Sequence, residues 1–329
     1  MSESIGVVLL NLGGPEILAE VEPFLVNLFS DRKIIRLSPF PFLQKFIAGR
    51  IAAKRAPKSR EAYGLIGGGS PLARITGEQG KALEEALAVD GTFMVRMAMR
   101  YWHPDAETTL TEFERAGIRR IVALTLYPHY SRATTGSSLD DLRAAADRIG
   151  GMEIAEIREW PEQPDYIECL AQSIGEGMAG FGGQPVQLVY SAHSLPVKFI
   201  KEGDPYLDQI KRTIAAVEKR TGIAGRLCFQ SRSGPVEWLA PSTPEMLVGL
   251  AGEGDTLALL RRSVAAVLGT EPRIEYRLGR SGGSSPAAET VSPVDPVAAE
   301  PPISVDAALE ASVIAELGAE LLEDFTPEG

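Results

Sequence analysis

Residues 5–10 (IGVVLL) are apolar at nearly every position, rich in β-branched side chains, and end at Gly13-Gly14-Pro15. Such a run reads as a strand buried on both faces and closed by a turn. Comparable runs lie at 93–99, 121–126, 186–190 and 227–229. Between them the apolar positions take helical spacing over 71–88, 104–116, 138–149, 166–178, 205–220 and 244–251. Strands alternating with helices predict an α/β protein with parallel sheets flanked by helices. The continuous hydrophobicity of the strands fits sheets covered on both sides.

The pattern falls into three parts. Residues 1–150 carry about three strands, and further strands follow from 151, with Gly150-Gly151 between them. This predicts two doubly wound lobes, 1–150 and 151–279, with a cleft at the carboxyl ends of the strands. Residues 281–305 hold five prolines and no aromatic residue, and read as a linker. Leu309, Val313, Leu317 and Leu321 then recur at fourth positions, a short amphipathic helix closing a tail over 280–329.

Charge sharpens the division. The net charge is −11, but 280–329 contain ten acidic side chains and one basic one, leaving 1–279 nearly neutral. A nucleic-acid surface calls for a basic domain, so nucleic acid is not expected as a partner. The 329-residue chain has two cysteines, Cys169 and Cys228, far apart in sequence, which excludes a disulfide framework and a cysteine-ligated cluster. No apolar run reaches membrane-spanning length, and MSESIGVVLL lacks the basic start of a signal peptide, so the expected compartment is the cytoplasm.

The candidate chemistry sits just after the strands. The three histidines occur in Arg100-Tyr101-Trp102-His103-Pro104, in Leu126-Tyr127-Pro128-His129-Tyr130 and in Ser191-Ala192-His193-Ser194-Leu195-Pro196. Any one of them taken alone is more simply a packing residue; His193, flanked by small residues, has the strongest claim to a site. Gly67-Gly68-Gly69-Ser70-Pro71 opens a helix without the lysine of a phosphate-binding loop. Thr134-Thr135-Gly136-Ser137-Ser138 opens another, where free amides and hydroxyls suit a carboxylate or phosphate, although in isolation an ordinary cap is the simpler reading. Lys54, Arg55 and Arg100 are candidate partners for substrate carboxylates. Pro39-Phe40-Pro41-Phe42-Leu43 reads as an apolar loop, a lip over a ligand or a peripheral membrane contact.

Taken in order, LLNLGGP (9–15), YGLIGGGSPL (63–72), MRYWHP (99–104), LYPHYSRATTGSS (126–138), YSAHSLP (190–196) and QSRSGPVEWLAPST (230–243) resemble the ferrochelatase family over about 5–254. The resemblance implies two Rossmann-like lobes enclosing a porphyrin cleft and insertion of Fe²⁺ into protoporphyrin IX, the last step of haem biosynthesis. It implies His193 at the metal and in proton transfer, with Leu12, Tyr63, Arg100, Tyr101, Tyr127, Ser131 and Trp238 around the macrocycle. Fe²⁺ is then a substrate; no tightly bound cofactor is implied, and the cysteines of cluster-bearing members are absent. After Gly254 the chain departs from the family, whose carboxylate opposite the histidine falls at Glu271 by ungapped count, or at Glu275 if a short deletion is allowed. That departure predicts impaired catalysis. It leaves open a non-catalytic porphyrin- or haem-binding protein, or a chelatase for coproporphyrin or another metal. It does not give the oligomeric state.

Overall fold

A computed structural model describes residues 4–252 except Arg36 and 233–235. Glu271, Glu275 and the tail over 280–329 lie outside the described residues.

The first sheet has four parallel strands in the order β2-β1-β3-β4: β1 (Ile5–Asn11), β2 (Phe93–Met99), β3 (Arg120–Thr125) and β4 (Glu153–Ile157). Central β1 explains the unbroken apolar run. Val8 and Leu10 face α4 (Ala106–Arg115) and α5 (Thr135–Ile149) in a core with Leu110, Phe113, Leu139 and Leu142. Val7 and Leu9 point the other way, into a cluster that Leu83 and Leu87 of α3 (Leu72–Leu87) join. Alternating side chains of one strand therefore fill two cores.

The sheet runs past Gly150-Gly151, the division expected from sequence. Both glycines have positive φ (80° and 66°), and Gly150 ends α5. They turn the chain from α5 into β4, which pairs with β3. A glycine pair that frees the backbone for a tight turn looks in sequence like a boundary.

Besides the five-residue Val197–Lys201, two helices were not foreseen. α1 (Val21–Ser30) and α2 (Pro41–Leu65) pack together in the β1–β2 connection. Gln44, Ala48, Ala52 and Ala56 form the buried stripe of α2, while Phe42 and Phe46 are 75% and 65% exposed. Its bulky residues face out and its alanines in, the reverse of the pattern that announces a helix. Pro41-Phe42-Leu43 is accordingly the first turn of α2 rather than a loop, with proline in the first helical turn. Gln44, 3% exposed, donates to the carbonyls of Phe29 and Ile35 and accepts from the Leu37 amide, which fixes the α1–α2 connection.

The second sheet pairs β5 (Leu188–His193) and β6 (Gly225–Gln230) in parallel. α6 (Pro164–Ala179), α7 (Val197–Lys201), α8 (Tyr206–Thr221) and α9 (Thr243–Gly252) accompany it. Leu195, Phe229 and Leu239 form its core, joined by Ile200, Tyr206 and Leu207. No helix among the described residues is long and apolar enough to cross a membrane.

Candidate active site

The three histidine motifs, LLNLGGP and the tryptophan segment lie at the carboxyl ends of strands, where ligands collect in parallel α/β folds, while residues 67–71 join α2 to α3 and Lys54 and Arg55 lie within α2. Two glycines allow the segments to crowd there. Gly13, at φ 84°, would place a Cβ 2.9 Å from that of Trp102, and a Cβ on Gly69 would lie 2.0 Å from the Glu16 carbonyl oxygen. Leu12, Tyr63 and Tyr101 meet in one cluster with Phe24, Ala52 and Trp102. The Tyr101 amide donates to the Leu12 carbonyl at 3.0 Å.

Arg100 and Tyr101 are joined through a residue the sequence reading missed, Asp31, at the end of α1. Arg100 Nη2 lies 3.1 Å from Asp31 Oδ2, the Tyr101 hydroxyl donates to the same oxygen at 2.7 Å, and Ser137 donates to it as well. Arg100 also donates to Ser137 Oγ at 2.7 Å and lies 3.5 Å from Asp141. Burial pushes the Asp31 pKa up, but the bonds from Ser137, Tyr101 and the Lys33 amide, with the Arg100 charge, outweigh it and hold it below the usual range. The protein's own carboxylate thus sits at the first turn of α5, where the sequence suggested a place for a substrate carboxylate, and it engages the Arg100 charge. Tyr101 is only 3% exposed and holds Asp31. Arg100 and Asp31 border a concavity of about 380 Å³ that Asn27, Lys45, His103 and Asp105 also line.

The third strand's loop carries three more predicted residues. Burial raises the Tyr127 phenol well above its ordinary pKa, and its hydroxyl, like that of nearby Ser138, has no well-formed hydrogen bond among the described residues. Ser131, 1% exposed, donates to Asp204 of the second lobe at 3.0 Å. His129 Nε2 lies 2.8 Å from Thr213 Oγ1, and that hydroxyl donates to the Pro161 carbonyl at 2.6 Å. The hydroxyl's proton is committed, so Nε2 carries the hydrogen. Burial lowers the His129 pKa to about 4, and the ring is a neutral packing residue between lobes.

His193 is the last residue of β5, not one beyond it. Its side chain reaches solvent while protein closes around the rest of the ring, and this partial burial lowers its pKa below the ordinary 6.5. It makes no side-chain hydrogen bond among the described residues. The segment after it is pinned on both sides. The Ser194 amide donates to the Gln230 carbonyl (2.7 Å), the Val197 amide to Glu237 (2.8 Å), and the Leu239 amide to Leu195 (3.1 Å). Pro196 and Trp238 form the antiparallel bridge between those bonds, and the buried Trp238 Nε1 has no partner among the described residues. SAHSLP and QSRSGPVEWLAP, whose histidine and first glutamine are 37 positions apart, are one structural unit.

These features define a two-sheet α/β protein with a neutral histidine and aromatic residues gathered at the strand ends. The ferrochelatase family model matches residues 4–262. A ferrochelatase of Desulfotalea psychrophila is 53% identical over 76% of this chain and 78% of its own length. One of Geotalea uraniireducens is 50% identical over 77% and 80%, and one of Synechococcus sp. is 43% identical over 84% of both chains. The chain belongs to the ferrochelatase family.

Proposed function

We propose that this protein inserts Fe²⁺ into protoporphyrin IX, releasing two protons and yielding protohaem. The observation that carries the reading is the junction of the two specific motifs, which pairs Trp238 with Pro196, three residues beyond His193 at the end of β5. Metallation takes two protons from pyrrole nitrogens as the metal enters. A neutral imidazole with an unused lone pair can accept one proton or hold the metal on its way in. Leu12, Tyr63, Tyr127 and Trp238 offer the apolar walls a flat ring needs. Arg100, tied to Asp31 and Asp141, supports that wall, and Tyr101 and Ser131 act through the bonds they make beneath it. Fe²⁺ is a substrate in this scheme, with no resident cofactor, and two unpaired cysteines favour a cytoplasmic setting. Under anaerobic conditions with Fe²⁺ and protoporphyrin, His193→Ala should lower turnover by about 10²-fold or more, the scale of a lost general base, with porphyrin affinity little changed. Near-normal turnover in that variant removes His193 from the mechanism.

A second feature supports contact with a lipid surface. Phe40, Phe42 and Phe46 are 57%, 75% and 65% exposed at the start of α2. Residues 37–60 hold six basic side chains and no acidic one, in a chain of net charge −11. Exposed aromatic rings beside cations suit an anionic membrane interface.

A further inference from the structure

The turn Gly203-Asp204-Pro205-Tyr206, which opens α8, carries two polar side chains that bond in different directions. Asp204 is 8% exposed. Its Oδ2 accepts from Ser131 Oγ (3.0 Å) and from the Arg132 amide (2.9 Å), both on the first lobe, and its Oδ1 accepts from the Tyr206 amide (3.1 Å). The Tyr206 hydroxyl donates to the His193 carbonyl at 3.0 Å. The Tyr206 ring stands edge-on to His129 of the first lobe, 6.1 Å between centroids, and packs into the cluster of Leu195, Phe229 and Leu239. Burial raises the phenol's pKa, so it stays protonated and remains a donor.

One bond, to the Tyr206 amide, ties Asp204 to the start of α8, whose N-cap position is Pro205. Its bonds to Ser131 and Arg132, and the reach of Tyr206 to His193, serve something more. The His193 imidazole has no side-chain partner among the described residues, so its position follows from its main chain. We propose that Asp204 and Tyr206 form a strut from the first lobe to the main chain of His193, making Tyr206 a positioning residue for metallation. The proposal rests on the function proposed above. A reacting group displaced by a fraction of an ångström loses rate without losing substrate affinity.

Tyr206→Phe in the full chain removes one oxygen and keeps the ring against His129. Its kcat for Fe²⁺ insertion should fall about 5–10-fold, the worth of one hydrogen bond, with the porphyrin KM within about twofold of wild type. With three histidines in the chain, ¹³C-labelled imidazole resonances can be assigned one by one. The His193 resonance should move while that of His103 stays. A His193 resonance unchanged by Tyr206→Phe overturns the strut, whatever happens to turnover. A shifted resonance with kcat unchanged, or with KM alone raised, overturns its role in catalysis. If the wild type does not metallate porphyrin, the proposed function fails by itself, and the resonance still decides whether Tyr206 positions His193.

Discussion

At the scale of single residues, the three histidines share a sequence context and differ in fate. His129 is a neutral link between lobes, His103 packs on Trp102 at a centroid distance of 5.2 Å, and His193 stands open to solvent at a strand end. Burial and bonding partners separate them, and neither is written in a five-residue window. His129 has a consequence for pH. Its pKa is about 4 in the fold against 6.5 unfolded. Between those values the unfolded chain binds the proton and the native one does not, so the contribution is complete above pH 6.5 and is lost as pH falls toward 4. Urea unfolding at pH 7 and pH 5 should therefore show a larger loss of stability in the wild type than in His129→Gln. Parallel losses would mean that His129 titrates alike in both states. Asp31 shows the same dependence on context. A lone acidic residue near a basic one is a commonplace of surfaces, and only the fold joins it to Arg100, Tyr101 and Ser137.

At the scale of elements, five of the six described strands and most helices were legible because their apolar residues turn toward a core; β4, with the alternating sequence EIAEI, was not. The long exception is α2, which packs on the equally unforeseen α1 and buries an alanine stripe while its phenylalanines face out. That inversion, unhelpful for reading a helix, is what a membrane-facing element displays. The double variant Phe42→Ser and Phe46→Ser should weaken binding to phosphatidylglycerol vesicles at least tenfold, since each buried ring contributes about 1.5–3 kcal/mol. Sedimentation with vesicles at about 0.1 M salt, where charge is screened beyond roughly 10 Å, checks this. Equal binding by variant and wild type, or none by either, counts against a lipid role for this face.

At the scale of the whole molecule, the lobes are joined largely by polar contacts. The Tyr130 amide donates to Gln209 Oε1 at 2.6 Å, and Gln209 in turn bonds Glu159. Gln209 is 2% exposed, so replacing it with leucine leaves the half-buried Tyr130 amide of the other lobe without this partner. The cost should be about 1–3 kcal/mol of unfolding free energy, the penalty for an unsatisfied buried donor. Chemical denaturation measures it, and a change under about 0.5 kcal/mol, the usual size for a surface substitution, would show that the joint does not depend on this bond. Ser131, foreseen beside the macrocycle, belongs to this joint through Asp204.

The sequence by itself determined the class of the fold, five of the six described strands, six of the helices, the family and the prominence of His193. Hydrophobic periodicity and the turn-forming glycines act locally and leave a trace in any short window. Tertiary structure decided what those windows do not contain. It assigned β4 to the first sheet, met the anion-binding end of α5 with Asp31, and joined SAHSLP to the tryptophan segment. It also ran a line of hydrogen bonds from Ser131 through Asp204 and Tyr206 to His193. Apart from the local Asp204–Tyr206 bond, each of these depends on partners 13 to 106 positions apart, brought together only when the crossover connections close and burial leaves a polar group one partner to find.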